Sequence, residues 1–217
     1  MQEHTIRAVI FDMDGVLLDS EPLYYDIQQE LFRSLGFEVS EEEYGHFIGL
    51  TMESMWQKLK ETHGLKQSVP QLIKQNNKAI LKAFRHRDHF IPIPFLLDYM
   101  HQLQSEGKVL AVASSTAKEI ITIILEKLGL TFYFQEVVSG EEVPAGKPAP
   151  DIFLETACRL GLEPAECLVI EDSANGVSAA KAAGMQCLGF AYSLFGDQDL
   201  SAADKVVSGY DELLEEL

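Results

Sequence analysis

Apolar residues along the chain fall into two patterns that alternate. Six short runs are near-continuously apolar: Arg7–Phe11, Lys108–Ala113, Glu136–Val138, Cys167–Ile170, Gln186–Phe190 and Lys205–Val207. A strand covered on both faces needs apolar side chains in both directions, so such runs predict inner strands of a parallel sheet. Between them the apolar residues recur every three or four positions, which predicts helices. Ile120, Ile121, Ile123, Ile124, Leu125 and Leu128 lead to Gly129, Asp151–Leu160 ends at Gly161, and Asn175–Ala183 ends at Gly184. Glycine just beyond a helix permits the left-handed turn that stops it. Strand and helix in alternation predict a doubly wound α/β domain.

The alternation breaks between the first and second strands, where residues from about 20 to 86 hold no strand pattern. Helices are predicted there near 21–35 (Ser20 as N-cap, Pro22 in the first turn, Gly36 after), 41–47 (Ser40 and Glu43 as a capping box), 52–63 (Thr51 as cap, Gly64 after) and 70–85. This is an inserted all-α module, too small to be a strong independent fold. It is expected to sit over the sheet edge as a cap. Pro92 and Pro94 mark His86–Pro94 as the return linker. The predicted division is a core of residues 1–18 and 88–217 and a helical cap of 19–87.

Composition changes this picture little, and charge changes it more. The chain has 217 residues, 47% hydrophobic and 24% charged, as in ordinary water-soluble domains. No apolar run approaches the roughly 20 residues that span a bilayer, so no membrane partner is expected. Cys158, Cys167 and Cys187 are too few and scattered for a disulfide framework or a zinc site. With a start that lacks the signal-peptide pattern, they suggest a reducing cytoplasm. There are 34 acidic against 17 basic residues, a formal net charge of −17. Nucleic acid is therefore excluded as a partner, because phosphate backbones are bound by basic surfaces. A small phosphate ester is not excluded, since a bound cation inverts the local balance. A monomer or weak oligomer is expected.

The acids that matter lie at strand exits. Ala8-Val9-Ile10-Phe11 runs into Asp12-Met13-Asp14-Gly15-Val16, and Cys167-Leu168-Val169-Ile170 runs into Glu171-Asp172-Ser173. Two adjacent carboxylates repel by roughly 4 kcal/mol at an effective dielectric near 20, so a cation or a chemical task must compensate. Asp12, Asp14, Asp172 and Glu171 are the expected ligands of a hard divalent ion, Mg²⁺. In open α/β sheets ligands bind beyond the carboxyl ends of the strands. Ser114 and Ser115 follow the second strand there, and Lys147 lies in the loop after the third. The chemistry this suggests is phosphoryl transfer through a carboxylate: Asp12 as nucleophile, Asp14 as acid and then base, Ser114 and Lys147 on the transferring oxygens.

Asp12-Met13-Asp14-Gly15-Val16, the strand-terminal Ser114, Gly146-Lys147-Pro148 and Glu171-Asp172-Ser173 occur in an order that resembles the four motifs of the haloacid dehalogenase (HAD) superfamily. The resemblance covers nearly the whole chain and implies a Rossmann-like core with a small α-helical cap. With Asp19-Ser20-Glu21-Pro22, the first motif is similar to that of the β-phosphoglucomutase-like branch, which includes many sugar-phosphate phosphatases. The resemblance implies that the cap closes over the substrate, with Gly49 and Thr51 of its loop among the substrate-binding residues. It also implies phosphate esters and not carbon–halogen bonds, because members that cleave the latter lack the acid at Asp14.

The expected function is thus a Mg²⁺-dependent phosphatase acting on a small phosphorylated metabolite, a sugar phosphate first of all. One alternative is a β-phosphoglucomutase-type isomerase. That enzyme carries a histidine where this chain has Tyr24 and basic residues where it has Ile48 and Met52. The other alternative is a catalytically silent binding module, which would have no reason to keep clustered acids. Several features read as ordinary structure. Lys74, Lys78 and Lys82 with Arg85 and Arg87 form a solvated face. Met52, Met55 and Trp56 belong to the cap core. Gly146-Lys147 is not a P-loop, because Pro148 stands where Ser or Thr is required.

Overall fold

A computed structural model describes residues 5–47, 51–192 and 198–215. These form two compact units. One takes 5–19, 89–192 and 198–215, and the other takes 20–47 and 51–88.

The larger unit is a six-stranded parallel sheet: β1 (Ala8–Phe11), β2 (Val109–Ser114), β3 (Glu136–Ser139), β4 (Cys167–Glu171), β5 (Gln186–Phe190) and β6 (Lys205–Val207), in the order β3-β2-β1-β4-β5-β6. All six predicted strands are present, within one residue at each end. The chain starts in the middle, moves outward to β3 and returns to the other side of β1 at β4. That reversal makes the carboxyl end of β1 the switch point where such sheets place their ligands. Phe11 pairs with Val112 on one side and Ile170 on the other, so the residues that follow, Asp12, Ala113 and Glu171, leave the sheet at one level.

Ala8, Ile10, Ala111, Ala113, Val138 and Val169 share a core with Ile152 and Phe153 of α7 (Asp151–Leu160) and Val177 of α8 (Ala174–Ala182). Small alanines at the contacts let helices approach the sheet closely. The remaining helices of this unit are α5 (Leu96–Ser105), α6 (Lys118–Leu128) and α9 (Tyr210–Glu215). Neither α5 nor α9 was anticipated. The start of α5 has no usual signal: Phe95 precedes it in the left-handed conformation, φ 64°, which few bulky residues adopt.

The smaller unit holds α1 (Glu21–Leu35), α2 (Glu41–Gly45), α3 (Met52–His63) and α4 (Val69–His86). Its core is aromatic. Phe32 meets Trp56 edge-on at 5.6 Å and stacks on Phe37 at 5.1 Å. Met55 is buried beside Trp56, and Met52 packs against the same cluster. The caps differ in part from expectation. Ser40 and Thr51 accept from the backbone amides of Glu43 and Ser54. Ser20 stands at the N-cap of α1, but its side chain makes no capping bond. The backbone there is helical already, so the hydroxyl is not aimed along the first turn. No helix among the described residues is long and apolar enough to cross a membrane.

Candidate active site

At the carboxyl end of β1, Asp12 is anchored by its own amide, which donates to the Ile170 carbonyl at 3.0 Å. Its carboxylate points at Lys147, whose Nζ donates to Asp12 Oδ1 at 2.5 Å, to Glu171 Oε1 at 2.6 Å and to the Ala113 carbonyl at 3.1 Å. All three side chains are nearly sealed from solvent, with exposures of 6% for Lys147, 9% for Asp12 and 1% for Glu171. The Phe153 ring lies 5.1 Å from the ammonium and supplies a further face. A lysine from a loop after β3 thus joins the ends of β1, β2 and β4.

Glycine makes the approach of the fourth strand possible. A Cβ on Gly15 would lie 1.9 Å from Asp172 Oδ2, so that carboxylate rests directly on the loop that carries Asp14. Gly15 also has φ 73°, a conformation that favours glycine. Gly176 plays the same part for Glu171, whose Oε1 a Cβ would meet at 1.8 Å. The loop itself is pinned from two sides. The Ile93 amide donates to the Leu17 carbonyl, and the buried Tyr210 hydroxyl donates to the Val16 carbonyl, both at 3.0 Å.

Four carboxylates against one ammonium leave the cluster rich in negative charge. Burial pushes the Asp12 carboxyl up to about 7; Lys147 opposes this, and Glu171 and Asp14 add to it. Burial raises Asp172 well above the ordinary range as well, with Glu171, Asp12 and Asp14 contributing. The Lys147 ammonium is held in its charged form by Asp12 and Glu171 despite its burial. Sites that favour protonated acids in the absence of a cation are sites a divalent cation relieves. The donor set fits a hard ion: two side-chain carboxylates, Asp12 and Asp172, beside the backbone carbonyls of the Asp12–Gly15 turn. Among the described residues no three acidic, histidine or cysteine side chains converge as a ready-made metal cage.

Glu171, one of the expected metal ligands, faces the lysine. Its Oε1 takes the Lys147 ammonium, and its Oε2 accepts from both the amide and the hydroxyl of Ser173. With both oxygens engaged inside the protein, it holds the lysine. Ser114 is buried, and its Oγ accepts from the Thr116 amide at 3.1 Å. Accepting there leaves its hydroxyl proton for another acceptor, such as a phosphate oxygen. Ser115 is exposed beside it. Thr51 caps α3 in the helical unit, and Gly49 lies outside the described residues. Sequence reasoning missed Thr116, whose hydroxyl donates to Asp14 Oδ2 at 2.7 Å. The only available signal was the polar run Ser114-Ser115-Thr116 itself.

Comparison with known proteins places the chain among hydrolases of one family. The model of the haloacid dehalogenase-like hydrolase family matches residues 9–190. A phosphorylated carbohydrates phosphatase of Thermotoga maritima is 33% identical over 83% of each chain. The fructose-1-phosphate phosphatase YqaB of Escherichia coli is 32% identical over 83% of this chain and 94% of its own. Among solved structures, a T. maritima protein provisionally described as a beta-phosphoglucomutase superposes with a TM-score of 0.80 at 32% identity, covering 98% of this chain and 100% of its own.

Proposed function

The chain belongs to the haloacid dehalogenase-like hydrolases, and we propose that it is a Mg²⁺-dependent phosphatase of small phosphorylated carbohydrates working through an aspartyl-phosphate. The observation that carries this reading is the Lys147 ammonium, buried between Asp12 and Glu171 at the ends of three strands. The names of the two phosphatase relatives supply the substrate class.

In this mechanism Asp12 attacks phosphorus and the ester oxygen departs. Asp14 gives that oxygen its proton, then takes one from the water that attacks the aspartyl-phosphate. The Ser114 hydroxyl and the Lys147 ammonium hold the phosphoryl oxygens, the lysine as a point charge. Glu171 keeps the lysine on station and protonated. Asp12, Asp172 and the Asp14 backbone carbonyl would hold Mg²⁺, which would supply charge screening between carboxylates and phosphate and polarise the phosphoryl group. The helical unit 20–88 would act as the cap, with Thr51 and Gly49 toward the substrate.

The isomerase reading finds little support in the residues present. Tyr24 has no basic nitrogen and stacks on Phe84 at 5.5 Å, and Met52 packs into the cap core. Ile48 lies outside the described residues. The test is phosphate release from a panel of phosphorylated sugars, sugar alcohols, nucleotides and small acids, with Mg²⁺ and with EDTA. Mg²⁺-dependent release from carbohydrate phosphates is expected. Bisphosphate-primed conversion of β-glucose 1-phosphate to glucose 6-phosphate without net release would replace the phosphatase with the mutase. Silence in both assays would leave the binding module.

A further inference from the structure

We propose that Thr116 is a positioning residue for Asp14: its hydroxyl, donating to one carboxyl oxygen, fixes the direction in which the carboxyl group faces the leaving group. The inference rests on Asp14 being the acid–base group of a phosphatase.

The contact joins residues 102 positions apart, Thr116 Oγ1 donating to Asp14 Oδ2 at 2.7 Å in a partly buried setting. A hydroxyl aimed at Oδ2 fixes which edge of the carboxyl group it holds. The same bond limits rotation of the carboxyl group, which otherwise turns easily about a soft torsion. Proton transfer depends on that direction, since an acid must lie within hydrogen-bond reach of the departing oxygen.

Thr116 can steer Asp14 because it is itself held at every polar group. Its amide donates to Ser114 Oγ at 3.1 Å, and its carbonyl accepts from Ser139 Oγ at 2.7 Å. Ser139 is fully buried and sits opposite Ser114 in the β2–β3 register. The Ser139 amide is in turn tied to Glu142 Oε2 at 2.8 Å. The turn after β3 also presses on the turn after β2: a Cβ on Gly140 would lie 3.2 Å from the Ser115 Cα and carbonyl oxygen. The position of the Thr116 hydroxyl is therefore set by two strands, and Asp14, on the loop after a third, is aligned to it. None of these bonds involves Lys147 or Asp172.

The test uses the full chain with two probes, phenyl phosphate as the poor leaving group and p-nitrophenyl phosphate as the good one, and reads release of the phenol in the first turnover, before the shared aspartyl-phosphate is hydrolysed. Thr116→Val keeps the shape and removes the hydroxyl; Thr116→Ser keeps the hydroxyl. Thr116→Val is expected to slow that release about 10-fold on phenyl phosphate and less than about 3-fold on p-nitrophenyl phosphate, with the half-saturating concentration little changed. Thr116→Ser is expected to restore phenyl phosphate turnover to within about 3-fold. In an Asp14→Asn background the valine is expected to add nothing. Ser139→Ala, one bond further out, is expected to show the same leaving-group dependence at smaller size. Equal losses of first-turnover release on both probes, a rise in the half-saturating concentration with the release rate unchanged, or an undiminished effect beside Asp14→Asn would overturn the proposal and make Thr116 a substrate contact. If Asp14→Asn itself hurts both probes equally, the acid assignment fails first. If Asp14→Asn shows the leaving-group dependence and Thr116→Val does not, only the role of Thr116 fails.

Discussion

The sheet unit and the helical unit differ in how completely they satisfy the polar groups they bury. In the sheet unit Asp12, Ser114, Ser139 and Glu171 are all buried, and each has partners at hydrogen-bond distance. In the helical unit Gln28 Oε1, Trp56 Nε1, His63 Nε2 and Asn76 Oδ1 are buried with no partner among the described residues. Every such orphan found among the described residues lies in the helical unit. A buried polar atom without a partner costs about 1–3 kcal/mol, whereas a satisfied pair contributes modestly and fixes direction. The sheet unit uses polar burial to aim chemistry. The helical unit is held by rings; there Gln29 donates to the Val39 carbonyl, and four other buried polar atoms have no partner among the described residues.

That contrast is broken most forcefully at Asp12. Asp12→Asn is expected to abolish turnover, by about 10³-fold or more, while Lys147 retains Glu171 and the fold survives. Phosphate release with circular dichroism as the fold control measures this; near-normal activity would remove Asp12 as nucleophile. Next in size is Lys147→Met. It leaves Asp12 and Glu171 buried without their counter-charge, so the change costs about 3–5 kcal/mol of stability as well as activity, read by urea denaturation. A loss of activity with unchanged stability would show the lysine to be less buried electrostatically than its contacts indicate.

A pH experiment sharpens the same point. The Asp12 carboxyl titrates near 7 in the folded chain and near 3.8 when unexcluded from water. The folded state therefore binds its proton more tightly than the unfolded state. With metal removed, stability falls as pH rises from about 4 to about 7 and levels off above that. Mg²⁺ binding near neutrality is expected to release protons, and its affinity to rise with pH through this window. Calorimetry in buffers of different ionisation enthalpy measures the release; proton uptake would contradict the assigned direction. The smallest effect belongs to the helical unit. Asn76→Leu replaces a fully buried amide whose Oδ1 is orphaned, so stability should stay within about 1 kcal/mol of the parent or rise. A loss of about 3 kcal/mol would mean that Asn76 is satisfied after all and that the contrast between the units is false.

The parts legible in the sequence share one property: their signal is local. Continuous apolar runs marked the six strands, and acids, serine and lysine just past them marked the site, because strand exits in such a sheet converge whatever the loops do. What stayed hidden depends on which atoms meet at a distance. Thr116 reaches Asp14, and Tyr210 reaches the Val16 carbonyl across 194 positions, with nothing in either neighbourhood to announce it. For Glu171 the sequence offered only its place beside Asp172. Only the fold shows that its oxygens face the lysine and Ser173. The start of α5 was hidden for another reason, since Phe95 occupies a conformation that a glycine would have advertised.

The most direct test of the central claim is to catch the covalent step. Asp14→Asn mixed with p-nitrophenyl phosphate and Mg²⁺ should accumulate the aspartyl-phosphate, because the good leaving group needs no acid and the water lacks its base. Quenching with borohydride and peptide mass spectrometry should find homoserine at position 12. An unmodified Asp12 while nitrophenolate is being released, or a phosphoryl group on any other residue, would contradict the account.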